Sequence, residues 1–105
     1  MTSARILLTT VSTPEDADRI ATALVEEGLA ACVNILPGAR SVYRWQGKVE
    51  SAAECLLLIK TDHAHLAQLE ARLNELHPYE LPELLILTPE AGSTRYLDWI
   101  TASLA

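Results

Sequence analysis

The sequence lacks most of the features that announce a particular chemistry. It has only two cysteines, too few for a disulfide-stapled scaffold, which points to a reducing compartment and a cytoplasmic protein. It has no glycine-rich phosphate loop, and no nucleophile, base and orienting group share one local motif, so no enzyme is expected. The apolar runs fall far short of a membrane span. Ile6 to Val11 is too short for a signal core, and no small-residue cleavage site follows it. Leu29-Ala30-Ala31-Cys32 matches a lipoprotein cleavage box only superficially. Asp16, Asp18, Arg19, Glu26 and Glu27 precede it where an apolar export core would have to stand. Repeats, linkers and low-complexity tracts are absent. Positive charge is scarce: 8 Lys and Arg stand against 14 Asp and Glu, a formal net charge of −6. Such a chain is a poor partner for nucleic acid or an anionic membrane.

What is present is a core-forming chain with one dominant stretch. The 105 residues, half of them apolar, suit one domain spanning 1–105 that needs no metal or disulfide to fold. Ala39 to Lys60 reads as a long β-hairpin with Gln46-Gly47 as its turn, Gly47 supplying a positive φ. A two-residue turn sets Trp45 opposite Lys48 and Tyr43 opposite Glu50 on one surface of the sheet. The same register sets Cys32 opposite Thr61 and Cys55 opposite Gly38. That separates the cysteines by about 20 Å along the ladder, too far for an intrachain disulfide. Both then read as small apolar residues.

Around the hairpin the chain alternates. Arg5 to Val11 reads as a strand. Thr13, Pro14, Glu15 and Asp16 open a helix with the stripe Ala17, Ile20, Ala21, Leu24, and Gly28 closes it. Cys32 to Leu36 is a second strand, which Pro37-Gly38 bends or bulges before the hairpin proper. Asp62 caps a helix whose stripe is Leu66, Leu69, Leu73, Leu76, stopped by His77-Pro78. Leu84 to Thr88 is a fourth strand. Ser93 or Thr94 caps a last helix carrying Tyr96, Leu97, Ile100 and Leu104. The order β-α-β-β-α-β with an appended C-terminal helix is the ferredoxin-like arrangement, an α+β fold with two helices on one face of a four-stranded sheet. Yet Ile6 to Leu8, Leu56 to Ile59 and Leu84 to Leu87 are apolar without alternation. Strands of that kind need cover on both faces. A second copy of the chain is the economical cover, so a homo-oligomer is expected.

Few residues invite a chemical role. His63 and His65 sit two apart at a helix start, point in different directions and show no partner in the sequence. His77 ends a helix and enters Pro78-Tyr79-Glu80-Leu81-Pro82-Glu83, where two prolines fix the directions of His77, Tyr79 and Glu83. It reads either as a cation at the helix C-terminal dipole or as part of a site. The hydroxyl-rich Thr9 to Thr13 suits helix capping better than anion binding, having no glycine loop and no nearby lysine. Tyr43 and Trp45 suit a binding platform or a subunit interface.

Taken together, Glu27 to Asn34 (EGLAACVN), Tyr43 to Glu50 (YRWQGKVE), Leu58 to Thr61, His77 to Leu84 (HPYELPEL) and Tyr96 to Ile100 (YLDWI) resemble the CutA family of divalent-cation tolerance proteins over nearly the whole chain. The resemblance implies a homotrimer joined through the long hairpins and architectural kinship with PII signalling proteins. It implies a non-enzymatic protein linked to copper and other divalent cations. It implies a copper site with Cys32 and His77 as ligands. The third ligand position, a cysteine in the family's first strand, is Thr9 here, and a hydroxyl is a weak copper ligand. Weak Cu²⁺ or other divalent-cation binding is therefore expected, with no cofactor required for folding. It also implies an inter-subunit cleft lined by Tyr43, Trp45, Glu50, Lys60, Tyr79 and Glu83. The alternatives are a PII-like small-ligand signalling protein and a stable trimeric scaffold with an indirect metal role.

Overall fold

The computed structural model describes residues 2–105. Its elements are β1 (Ala4–Val11), α1 (Pro14–Glu26), β2 (Cys32–Trp45), β3 (Lys48–Asp62), α2 (Leu66–Leu76), β4 (Leu85–Leu87) and α3 (Thr94–Ala102). The strands form one antiparallel sheet in the order β2-β3-β1-β4. This is the ferredoxin-like order expected from the sequence, with α3 appended.

Local chemistry sets the element ends. The Thr13 hydroxyl accepts the Asp16 N–H at 3.1 Å, and Pro14 occupies the first turn of α1. Gly28 follows α1 with φ +72°, and Ala105 lies so close that a Cβ at Gly28 would fall 2.4 Å from the Ala105 Cβ. The Asp62 carboxylate accepts the His65 N–H at 3.1 Å. It caps a 3-10 turn over His63–His65, so α2 proper begins later than its cap suggests. Ser93, rather than Thr94, caps α3. Leu104, expected on that helix, lies beyond its end.

The hairpin turn is as expected, with Tyr43 paired to Glu50 and Trp45 to Lys48. Both turn residues have positive φ, 49° at Gln46 and 79° at Gly47, the conformation whose twist matches that of the flanking strands. Beyond the tip the expected register fails by one residue. Leu36 pairs with Leu56 and Ala39 with Glu54, so Pro37 and Gly38 together oppose Cys55. Pro37 has no N–H to give the ladder, and Gly38 takes φ +81°. Cys32 therefore faces Lys60, not Thr61. The shift turns Val33 and Ile35 toward the helices, opposite Ile59 and Leu57. Without it both would point away from the core. Both cysteines are free.

The core lies between the sheet and the helices α1 and α2. Leu7, Val11, Cys55, Leu57 and Ile59 of the sheet meet Ile20, Leu24, Leu69 and Leu73, all buried. Two threonines share this layer. The Thr61 hydroxyl donates to the Leu29 carbonyl at 2.7 Å, whereas the buried Thr9 hydroxyl has no partner among the described residues. The opposite face carries Ile6, Leu8, Leu56 and Leu58; α3 leans on one part of it, through Tyr96 at Lys60, and the loop after α2 on another, through Tyr79 at Glu54. β4 is shorter than the expected Leu84 to Thr88, and all three of its residues are exposed.

Thr9→Val keeps the shape and removes a buried hydroxyl that no described residue satisfies. It is expected to raise stability by about 1 kcal/mol in urea unfolding. A loss of stability would show that the hydroxyl has a partner.

Candidate functional site

A groove of about 910 Å³ runs along the sheet face that α1 and α2 leave open. The β2–β3 hairpin forms one wall. The loop after α2, stiffened by Pro78 and Pro82, forms the other. The antiparallel pairing places Tyr43 beside Glu50, and the two-residue alternation carries Trp45 to the same surface. Five of the six cleft residues expected from the sequence line this one groove: Tyr43, Trp45, Glu50, Tyr79 and Glu83. Lys60 does not.

The inner end of the groove is polar and tightly bonded. His77 is only 7% exposed. Its Nε2–H donates to the Thr10 carbonyl at 2.9 Å, and its Nδ1 accepts the Tyr79 N–H at 3.2 Å. These partners define a neutral imidazole with its proton on Nε2. Burial holds its pKa below the ordinary histidine value, against the pull of the Thr10 carbonyl. The Tyr79 ring meets it edge-on at 4.8 Å between centroids. The Tyr79 hydroxyl then donates to Glu54 Oε2 at 2.7 Å. Burial, and next the Glu54 carboxylate, push this phenol up to about 12. It therefore stays a donor.

Glu54 is 8% exposed. Burial alone would raise its pKa, but hydroxyls from Ser41, Tyr79 and Thr10 outweigh that and hold it below the usual carboxylate value. Among the described residues no lysine or arginine forms an ion pair with it. Nothing local in the sequence marks this bond, which joins residues 25 positions apart. The one available signal is a charge at the head of the apolar run Cys55 to Ile59.

Cys32 and Lys60 sit elsewhere on the open face. They pair with each other, and Lys60 pairs with Ile6, four residues along β1 from Thr10 and so about 13 Å from the His77 end. The structure does not bring Cys32 and His77 together within one chain. The Cys32 thiol lies 3.8 Å from Asn34 Oδ1. Lys60 donates to the Tyr96 hydroxyl at 3.1 Å and lies 5.3 Å from that ring's centroid. That hydrogen bond, more than any other cause, raises its pKa. Thr9, at the position of the third expected ligand, points to the helices. Among the described residues no three His, Cys, Asp or Glu side chains gather closely enough to hold a metal ion. A closed metal site within the chain does not fit these residues.

His65 departs from its expected lack of a partner. Its Nδ1 lies 2.6 Å from Asp62 Oδ1 and its Nε2 2.8 Å from the Ala105 carbonyl. The Asp62 carboxylate, first among the causes, raises its pKa. His63 is exposed, as expected.

The family model described as CutA1 divalent ion tolerance protein matches residues 5–103. A divalent-cation tolerance protein CutA from Thermus thermophilus is 50% identical over 90% of this chain and 92% of its own length. Among solved structures, CutA from Synechococcus elongatus superposes with a TM-score of 0.95 at 48% identity, covering 100% of this chain and 93% of that one. The PII-like protein CutA from Nostoc superposes with a TM-score of 0.90 at 40% identity, covering 96% and 97%. Other similar proteins carry chloroplastic or periplasmic names. No helix of this chain, among the described residues, is long and apolar enough to cross a membrane.

The Tyr79–Glu54 bond makes a pH-dependent prediction. A carboxylate whose folded pKa is lowered contributes stability above its unfolded value, about 4.3, and loses it as pH falls through the folded value. Tyr79→Phe is expected to cost about 2 kcal/mol in urea unfolding at pH 7, as for a hydrogen bond to a charged group. The cost should shrink at pH 3. An equal cost at both pH values would mean that Glu54 is not ionised in that bond.

Proposed function

The chain belongs to the CutA1 divalent ion tolerance protein family, and on that premise we propose that it acts as a non-enzymatic homotrimer that binds divalent cations weakly. The observation that carries the assembly is the uncovered sheet face. Leu85 is 55% exposed, Leu87 46% and Leu36 42%, all on the side that α1 and α2 leave free. Apolar residues contiguous along a sheet face mark an association surface. The number three rests on the family resemblance. The hairpin, 44 Å being the longest extent of the chain, gives each subunit an arm for its neighbour.

His77 is the proposed main ligand for Cu²⁺ or Zn²⁺, with Cys32 as a second, separate contact. Both His77 nitrogens already have partners. An ion must displace the Tyr79 N–H or the Thr10 carbonyl, which supports weak binding, and the apolar core supports folding without metal. A neutral, buried histidine with no nucleophile bonded to it supports the non-enzymatic reading. The free thiols of Cys32 and Cys55 support a cytoplasmic, reducing environment, and the acidic composition supports the absence of nucleic-acid and membrane partners. The groove favours a second reading alongside this one, a small ligand held between subunits as in PII-like proteins.

One sample tests both parts. Light scattering at low micromolar concentration should give three times the 11.5 kDa chain mass. A stable folded monomer would sink the assembly. Calorimetric titration of that sample with Cu²⁺ should show weak binding that is reduced in His77→Ala. Unchanged binding in His77→Ala, with loss in His63→Ala/His65→Ala, would move the site to the start of α2.

A further inference from the structure

Both ring nitrogens of His65 face acceptors. Nδ1 lies 2.6 Å from Asp62 Oδ1, and Nε2 lies 2.8 Å from the Ala105 carbonyl. A neutral imidazole has one N–H and satisfies one of these; the imidazolium has two and satisfies both. His77 is the contrast, with a carbonyl at one nitrogen and an N–H at the other. Asp62 is placed to hold the charge. It is 6% exposed, its Oδ1 already accepts the His65 backbone N–H, and no lysine or arginine pairs with it among the described residues. The Asp62 carboxylate, and next the Ala105 carbonyl, keep the ring protonated above the ordinary histidine value, against burial.

The other end of this bridge is the stretch after α3. The N–H groups of Ser103 and Leu104 bond back to carbonyls of α3. Ala105 reaches other elements. Its N–H donates to the Gly28 carbonyl at 3.0 Å, and its carbonyl accepts from His65. Its seat exists because residue 28 has no side chain: φ there is +72°, and a Cβ would fall 2.4 Å from the Ala105 Cβ. The charged groups of the surrounding elements are occupied or turned outward. Glu27, at the end of α1, holds Arg72 of α2 at 2.8 and 2.9 Å. Arg5 of β1 donates to the Thr2 and Ala4 carbonyls. Asp98 of α3 lines a recess with Thr2 and Ser3. Glu26, His63 and Glu70 are exposed, and Ser103 to Ala105 carry no ionisable side chain.

We infer that His65 is a latch worked by its proton: as an imidazolium bridging Asp62 and Ala105 it pins the stretch after α3 between the end of α1 and the start of α2, and on losing a proton to solvent it releases that stretch. The neutral ring keeps its one N–H on Asp62, because a bond to a carboxylate is the stronger of the two. Nε2 then turns a lone pair on the Ala105 carbonyl, which repels it. A base whose folded pKa is raised contributes stability below its unfolded value, about 6.5, and loses it as pH rises through the folded value. The latch is therefore closed in mild acid and opens on the alkaline side.

NMR of the full chain tests this, following the imidazole nitrogens and the Ala105 methyl relaxation from about pH 5 to about pH 10, a range that brackets the ordinary histidine value. His65 should titrate at higher pH than the exposed His63, and Ala105 should gain mobility over the same interval as His65. In His65→Ala, Ala105 should be mobile at every pH. Asp62→Asn keeps a helix-capping side chain but removes the charge, so both transitions should move together to lower pH, by about one pH unit or more. Asp62→Asn decides alone if His65→Ala fails to fold. The inference is overturned if His65 titrates with or below His63, if Ala105 is equally ordered on both sides of the His65 titration, or if its mobility transition stays put in Asp62→Asn while that of His65 moves.

Discussion

The constraint on which this molecule depends is that its sheet has two apolar faces and its helices cover one. Leu7, Val11, Leu57 and Ile59 are sealed beneath α1 and α2. Their neighbours Ile6, Leu8, Leu56 and Leu58 alternate onto the other side, where β4 adds Leu85 and Leu87. Water contact over that area opposes the folded monomer. Association relieves it, and the long hairpin projects beyond the helices as the arm that can reach another chain. The groove follows from the same arrangement, because the loop after α2 crosses to the uncovered side and stands opposite the hairpin.

The bulge at Pro37-Gly38 makes this two-sidedness consistent. Below it Val33 and Ile35 must face the helices; above it Tyr43 and Trp45 must face the groove. A straight strand carried down from the Gln46-Gly47 turn would give Val33 and Ile35 the wrong face. One extra residue, at a proline that cannot donate and a glycine that accepts positive φ, satisfies both. The groove and the core are thus matched through two residues that contribute to neither.

The sequence was most readable where the physics is local. Gln46-Gly47 set the register at the hairpin tip, Thr13 the start of α1, Asp62 the cap of the turn that leads into α2, and the unbroken run Cys55 to Ile59 a strand apolar on both faces. The family motifs gathered Tyr43, Trp45, Glu50, Tyr79 and Glu83, which the fold brings into one groove. Pro37-Gly38 announced a bulge, but the direction of its register shift depends on which side chains are buried, a tertiary property. Longer-range polar contacts left no local trace. Tyr79 reaches Glu54 across 25 positions and His65 reaches Ala105 across 40. The separation of Cys32 from His77 likewise depends on how far apart their rows lie on the finished sheet.

The central claim is that the open face is stabilised by other copies of the chain. Equilibrium unfolding in urea, followed over a hundredfold range of protein concentration, tests it most directly. For an assembly whose monomer is not stable alone, folded stability is inseparable from concentration. The unfolding midpoint should therefore rise steadily as the protein is concentrated. A midpoint that stays fixed across the range would contradict the account, because it would show a chain stable with one apolar face in water.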